Sequence, residues 1–216
     1  SIINTDVAIA FTVKERYPTV KVDIIQPKDV SIERLKKNDI NYILGYDYVS
    51  ALNNSPYVKK FSGPVGSKKV ASIYKSPSSK VFPDTSFLSF IWDKKKYLQT
   101  LEKNNIPIIP TVFVNVNQLN IKSLVTQIKQ KKWKKFIIKP NGGTEKLGVG
   151  IFTISDSSIL DDLSEYFQTN KTYYKEFLVQ QSIDGFFKYG EIKSYWINGQ
   201  FSYAVSIRDQ NTGGDA

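Results

Sequence analysis

Phe136-Ile-Ile-Lys-Pro-Asn-Gly-Gly-Thr-Glu-Lys-Leu-Gly-Val-Gly-Ile151 is the stretch on which the reading of this chain turns. Phe136 to Ile138 form a short apolar run that reads as a buried strand, and Pro140 ends it because proline brings no N–H donor to a sheet ladder. Lys139 therefore stands at a strand end. Gly142, Gly143, Gly148 and Gly150 lack a Cβ, so the backbone before the next strand can take positive φ and bring N–H groups close to a ligand. A lysine beside such a loop suits a phosphate; a glycine-rich hairpin with a surface lysine is the plainer reading of the same residues. Neither G-x-x-x-x-G-K-S/T nor a G-x-G-x-x-G between strand and helix is present, so any phosphate must be held by another scheme.

The 216 residues suffice for one large domain or two small ones with a real core. No apolar run approaches the roughly 18 to 20 residues of a membrane helix, and no basic-then-apolar leader opens the chain. With cysteine absent as well, the expected location is cytoplasmic. The chain starts at Ser1 and contains no methionine, as expected of a processed or truncated protein. Without cysteine or histidine there are no disulfides, no thiolate or imidazole metal ligands, and no Ser-His-Asp or Cys-His catalysis within these residues. Carboxylates, lysines, arginine, hydroxyls and backbone amides remain. That inventory favours oxygen-ligated metals such as Mg²⁺ and chemistry on anions. The net charge of +10 fits a nucleic acid or an anionic substrate. Most of the surplus is lysine spread along the chain, with no arginine-rich stripe, so nucleic-acid binding is the lesser reading.

Outward from the glycine loop, Val7 to Phe11 and Val20 to Ile25 read as strands. Ser31 caps a short helix over 32–37, with Glu33 and Arg34 on its wet face. Asn41 to Gly45 is a further apolar run, and Tyr48 to Leu52 opens a helix. This alternation predicts a small open α/β lobe with a parallel sheet, in which Gly45-Tyr-Asp47 lies either at a ligand-binding strand end or in a plain polar loop. Residues 53–80 are turn-rich and read as a boundary closed by Val81-Phe-Pro83. Asp84 to Asn105 reads as helix through Phe87, Phe90, Ile91, Tyr97, Leu98 and Leu101, with Asp93-Lys-Lys-Lys96 as a charge run inside it. Ile106 to Val114 enters a strand. A helix over 118–132 buries Leu119, Leu124, Val125 and Ile128, and Val149 to Ile154 is the strand after the loop. A helix over 158–167 turns Ile159, Leu160, Leu163 and Phe167 inward, and Phe177 to Ile183 is again a strand. Asp184-Gly185 and Tyr189-Gly190 bracket a turn. Asn198-Gly199 then joins strands 191–197 and 200–207 as a hairpin.

The order of these parts resembles the ATP-grasp superfamily of carboxylate–amine and carboxylate–thiol ligases from about Asp93 to the chain end. The landmarks are an Asp-Lys pair opening a helix, Asn104-Asn-Ile-Pro-Ile-Ile-Pro-Thr111, Phe136-Ile-Ile-Lys-Pro140 with its glycine loop, Phe177-Leu-Val-Gln-Gln-Ser-Ile183, and a hairpin beginning at Glu191. The resemblance implies that Lys94 and Lys139 contact the phosphates of ATP and that Gly142, Gly143, Thr144 and Gly148 close over them. It implies that Gln180, Gln181, Ser182 and Ile183 form the hinge that reads adenine, that Glu191 holds the ribose hydroxyls, and that Lys193 and Arg208 serve catalysis near the acyl phosphate and the substrate carboxylate. If the register slips by one, Lys95 or Lys96 takes the place of Lys94; Glu191 and Lys193, on one strand face, could instead be an ion pair. Gln180 departs from the glutamate of many relatives. The Mg²⁺ ligands expected of the family would lie beyond residue 216, so none is assigned here.

The fold so implied is α/β plus α+β: an N-terminal α/β lobe over 1–83, the first ATP-grasp subdomain over 84–183, and the start of the second, only partly present, over 184–216. The implied activity is an ATP- and Mg²⁺-dependent, ADP-forming ligase that joins a small carboxylate to an amine through an acyl phosphate. The alternatives are an ATP-grasp kinase acting on a small polyanionic alcohol, as in the inositol-phosphate branch, or a non-catalytic nucleotide- or nucleic-acid-binding module. No membrane partner is expected, and a homo-oligomer is compatible with the sequence.

Overall fold

The computed structural model describes residues 5–25, 29–42, 72–143, 146 and 148–207. Thr144, Arg208, the expected site at Gly45-Tyr-Asp47, the helix at Tyr48 to Leu52 and the chain end after Ile207 lie outside those residues. Among the described residues no helix is long and apolar enough to cross a membrane.

The N-terminal part departs from expectation. Val7 to Phe11 lie in a helix, α1 (Thr5–Arg16). Ala8 and Ala10 favour helix, and in a helix the backbone groups find partners locally, without the neighbouring strand that a strand here would need. Pro18 follows its last turn. Residues 21–25 join no strand; Asp23 takes Arg34 of α2 (Ile32–Leu35) at 2.9 Å, in a half-exposed pair of small worth. Ser31 caps α2 as expected, accepting from the Arg34 N–H at 3.2 Å. β1 (Asn41–Tyr42) pairs parallel with β2 (Val81–Phe82), the one parallel pair among the described residues. Residues 72–82 are more than a boundary: Tyr74 is buried with Leu35 and Leu88, and buried Ser79 donates to the carbonyls of Tyr74 and Ser76.

The expected single helix over 84–105 is two: α3 (Thr85–Trp92) and α4 (Lys94–Lys103), broken at Asp93. The Asp93 backbone is non-helical at φ −81° and ψ 85°, and its carboxylate accepts the Lys96 N–H at 2.9 Å, so it caps the second helix. The apolar pattern runs through the break because each half keeps its own 3.6-residue period. Phe87 and Ile91 are exposed, and Leu88 is the buried residue of α3.

The centre of the molecule is an antiparallel sheet of order β3-β6-β4-β5, built from β3 (Thr111–Asn115), β4 (Lys135–Pro140), β5 (Gly150–Thr153) and β6 (Glu176–Gln181). Helices α5 (Ile121–Gln130) and α6 (Ile159–Asn170) cover one of its faces. Phe136, Ile138, Phe177 and Val179 from the strands meet Leu124, Val125, Ile128, Leu163 and Phe167 from the helices in one core. Each such side chain contributes about 1.5–3 kcal/mol when fully buried. Leu160, expected inside, is 40% exposed, because α6 presents Ile159, Leu163 and Phe167 along the i, i+4, i+8 line.

Asp184 to Tyr189 form a short helix, α7, where a turn was expected. The hairpin β7 (Glu191–Ile197) and β8 (Gln200–Ile207) follows, with Asn198 and Gly199 both at positive φ, 51° and 74°, as a two-residue hairpin turn requires. Every residue of both strands is exposed.

Candidate active site: two lysines beside a glycine loop

Side chains alternate along a strand, and directly opposed residues share a face. Since Phe136, Ile138, Phe177 and Val179 face the helices, Ile137 and Lys139 of β4 face the other way. Their partners Gln180 and Leu178 of β6, and Thr111 and Phe113 of β3, share that second face. Glu176 and Ile151 belong to it by the same count. The sheet register alone therefore puts Lys139 on the face opposite the core, where Thr111, Glu176 and Gln180 make the polar part among Phe113, Ile137, Ile151 and Leu178.

Two lysines converge there. Lys94, the first residue of α4, donates to the Gly143 carbonyl at 2.5 Å. Burial holds its ammonium below the ordinary lysine range, and the charge of Lys139 pushes it down further. Lys139 is held low by burial as well, and the Glu191 carboxylate pulls it partway back. Glu191 of β7 is thereby brought to the lysine pair. Lys193 is exposed, and among the described residues no ion pair joins it to Glu191.

The run Lys94-Lys-Lys96 is sorted by its partners. Lys95 reaches Glu176 Oε1 at 2.6 Å, and Lys96 is exposed with its ammonium 5.9 Å from the Phe90 ring centroid. Among the described residues, Lys94 is the one of the three whose ammonium donates to the glycine loop.

At the loop, Gly142 (φ 75°) makes the turn out of β4. The Gly143 N–H donates to Pro140 O at 3.2 Å, so that donor is spent within the loop and does not point at a ligand. Gly148 (φ 66°) sits where a Cβ would come within 2.8 Å of Pro140 Cγ. The Gly148 carbonyl accepts from the Tyr166 hydroxyl, and Tyr166 packs edge-on to Phe152, Phe167 and Phe177.

In the segment 180–183, buried Gln180 donates to the Thr111 hydroxyl at 2.9 Å, which orients this amide inside the protein. The Gln181 N–H goes to Pro110 O and the Ser182 N–H to Lys135 O. Among the described residues the buried Ser182 hydroxyl has no hydrogen-bond partner. Ile183, half-buried, precedes α7. A depression of 470 Å³ beside Glu102, Ile106, Pro110 and Lys131 contains none of the expected site residues.

Sequence reading missed Asn141, Glu176 and Tyr166. Asn141 follows Lys139-Pro140 directly and was within reach as the first polar residue of the loop. Glu176 and Tyr166 give no local signal, because their partners are distant in the chain.

The structure is similar to that of D-cycloserine synthetase DcsG, with a TM-score of 0.64 and 14% identity, over 93% of this chain and 65% of that one. Weaker similarity extends to D-alanine–D-alanine ligase from Bacillus anthracis complexed with ATP (TM-score 0.42, 21% identity, 56% of this chain and 36% of the ligase). The ligase from Helicobacter pylori gives a TM-score of 0.44 and 18% identity, over 70% and 45% of the two chains. The chain thus spans somewhat less than two thirds of the length of the synthetase and less than half of either ligase. No protein-family model and no curated protein matches the sequence.

Proposed function

The chain has the ATP-grasp fold of carboxylate–amine ligases, and on that premise we propose that it is part of an ATP-dependent ligase that joins a small carboxylate to an amine. The observation that carries the reading is the convergence of Lys94 and Lys139 at the edge of a glycine loop, two partly buried ammonium groups each held below the ordinary range by burial, with the charge of Lys139 lowering Lys94 further. Such a pair is costly until an anion neutralises it, and it suits the phosphates of ATP.

In this proposal Lys94 and Lys139 hold the phosphates, and the loop with Gly142, Gly143, Thr144 and Gly148 shields them from water. Gln180 to Ile183 line the base, with the buried Ser182 hydroxyl left to bond it. Glu191 takes the ribose, and Lys193 and Arg208 stand toward the substrates. The reaction moves the γ-phosphoryl group to a carboxylate oxygen with release of ADP; the amine nitrogen then displaces phosphate and loses a proton as the amide forms. Among the described residues no group of three or more acidic side chains gathers that could hold a metal ion, so no step is assigned to Mg²⁺ here. The division into segments 1–83, 84–183 and 184–216 belongs to the same proposal.

The test is a thermal shift with Mg-ATP on the wild-type chain and on Lys139→Ala. Stabilisation of the wild type that the substitution removes supports the reading, and a folded full-length protein indifferent to ATP overturns it. ADP release requiring both a carboxylate and an amine would identify the ligase.

A further inference from the structure

Two like charges brought together in a half-buried site do not stay together unaided; each would gain by swinging out to water. Lys94 and Lys139 come from elements far apart in sequence, so the restraint has to lie beside them.

Asn141 supplies it. Two residues after Lys139, its N–H donates to Glu176 O at 2.8 Å, fixing the end of β4 to the start of β6. Its side-chain amide donates to Asp93 Oδ1 at 3.0 Å and Glu176 Oε2 at 3.3 Å, and its side-chain oxygen accepts the Lys95 N–H at 3.2 Å. Asp93 and Lys95 are the residues on either side of Lys94. Glu176 completes the ring through Lys95 Nζ at 2.6 Å. The N-terminus of α4 is thus fastened at both neighbours of Lys94 to the strand end that carries Lys139.

We propose that Asn141 and Glu176 are positioning residues that clamp the N-terminus of α4 to the sheet, presenting Lys94 and Lys139 as a pair while Glu176 withdraws Lys95 from it. Neither residue needs to touch a ligand for this. The consequence for nucleotide binding rests on the ATP reading above; the clamp itself does not. Glu176 accounts for the choice among the three lysines: its carboxylate neutralises the second, and the first is left to meet an anion. Among the described residues, the other charged groups that bear on the pair are Asp93, bonded within the clamp, and Glu191 of β7, whose charge acts on Lys139.

The experiment follows individual lysine titrations by NMR of ¹³Cε-labelled protein, assigned with Lys94→Arg and Lys139→Arg, together with ATP affinity by calorimetry. Wild type is compared with Asn141→Ala and Glu176→Gln, with Lys96→Ala as the control. In wild type both lysines titrate below the ordinary range. In Asn141→Ala the Lys94 midpoint returns toward that range and ATP affinity falls at least tenfold, while circular dichroism and the control stay as in wild type. Glu176→Gln, which keeps the side-chain shape, carries the same test if Asn141→Ala does not fold. Wild-type lysines titrating normally, or a variant that leaves the Lys94 midpoint and ATP affinity unmoved, overturns the clamp. Lysine midpoints as expected uphold the clamp whether or not ATP binds, and a full-length protein with those midpoints that does not bind ATP overturns the nucleotide reading instead.

Discussion

The two faces of the four-stranded sheet are made by the same strands and are held by different physics. On one face Phe136, Ile138, Phe177 and Val179 are almost fully buried under α5 and α6, and what matters there is volume. On the other, Glu176 and Gln180 are held by named partners at hydrogen-bond distance and Lys139 feels the charge of Glu191, and what matters is pairing. A packed face tolerates no missing volume but has no use for a particular atom. The other face is expected to lose a whole charge with little cost to folding.

Substitutions sharpen that contrast. Phe177→Ala is expected to have the largest effect, a loss of about 3–5 kcal/mol on denaturant unfolding, since it empties a site shared with Tyr166, Phe167 and Tyr174. A loss below about 1 kcal/mol would show that the core face is not close-packed. Gly148→Ala comes next. Its positive φ and the Pro140 contact predict a cost of roughly 1–3 kcal/mol, read as a lower melting temperature. Tyr166→Phe keeps the ring in the aromatic cluster and removes the bond to Gly148, for about 1 kcal/mol.

The smallest effect on folding belongs to the lysines. Lys94 and Lys139 both titrate lower in the folded protein than the ordinary 10.5. Above their folded pKa values the native state has shed protons that the unfolded chain still binds. Stability therefore rises with pH through that window and levels off above 10.5. Lys139→Met is expected to flatten this rise and to leave the melting temperature near neutral pH unchanged or higher, while ATP stabilisation is lost. A substantially less stable Lys139→Met would break the comparison, because the polar face would then carry folding energy as well.

Much of this was legible. The apolar spacing of Leu124, Val125 and Ile128, the run Phe136 to Ile138, and the Asn198-Gly199 turn all led to the observed elements, because each is a local pattern that only one kind of element satisfies. Val7 to Phe11 failed because alternating Val, Ala, Ile, Ala and Phe fits helix as well as strand, and among the described residues no strand pairs with it to choose. The helix break at Asp93 was hidden by an apolar period that continues on both sides of it. Of the site, Lys139 at a strand end was readable from Pro140 and the glycines after it.

Sequence by itself thus determined the helices and strands of the central sheet, the hairpin, and a lysine next to a glycine loop. These depend on residues a few positions apart, where spacing and backbone preference decide. Only tertiary structure decided which of three lysines joins Lys139, what orients Gln180, and what restrains the pair. Asn141 meets Asp93 across 48 residues, and Lys95 meets Glu176 across 81. Those meetings follow from the strand register and from where α4 begins over the polar face of the sheet, and no local pattern encodes either.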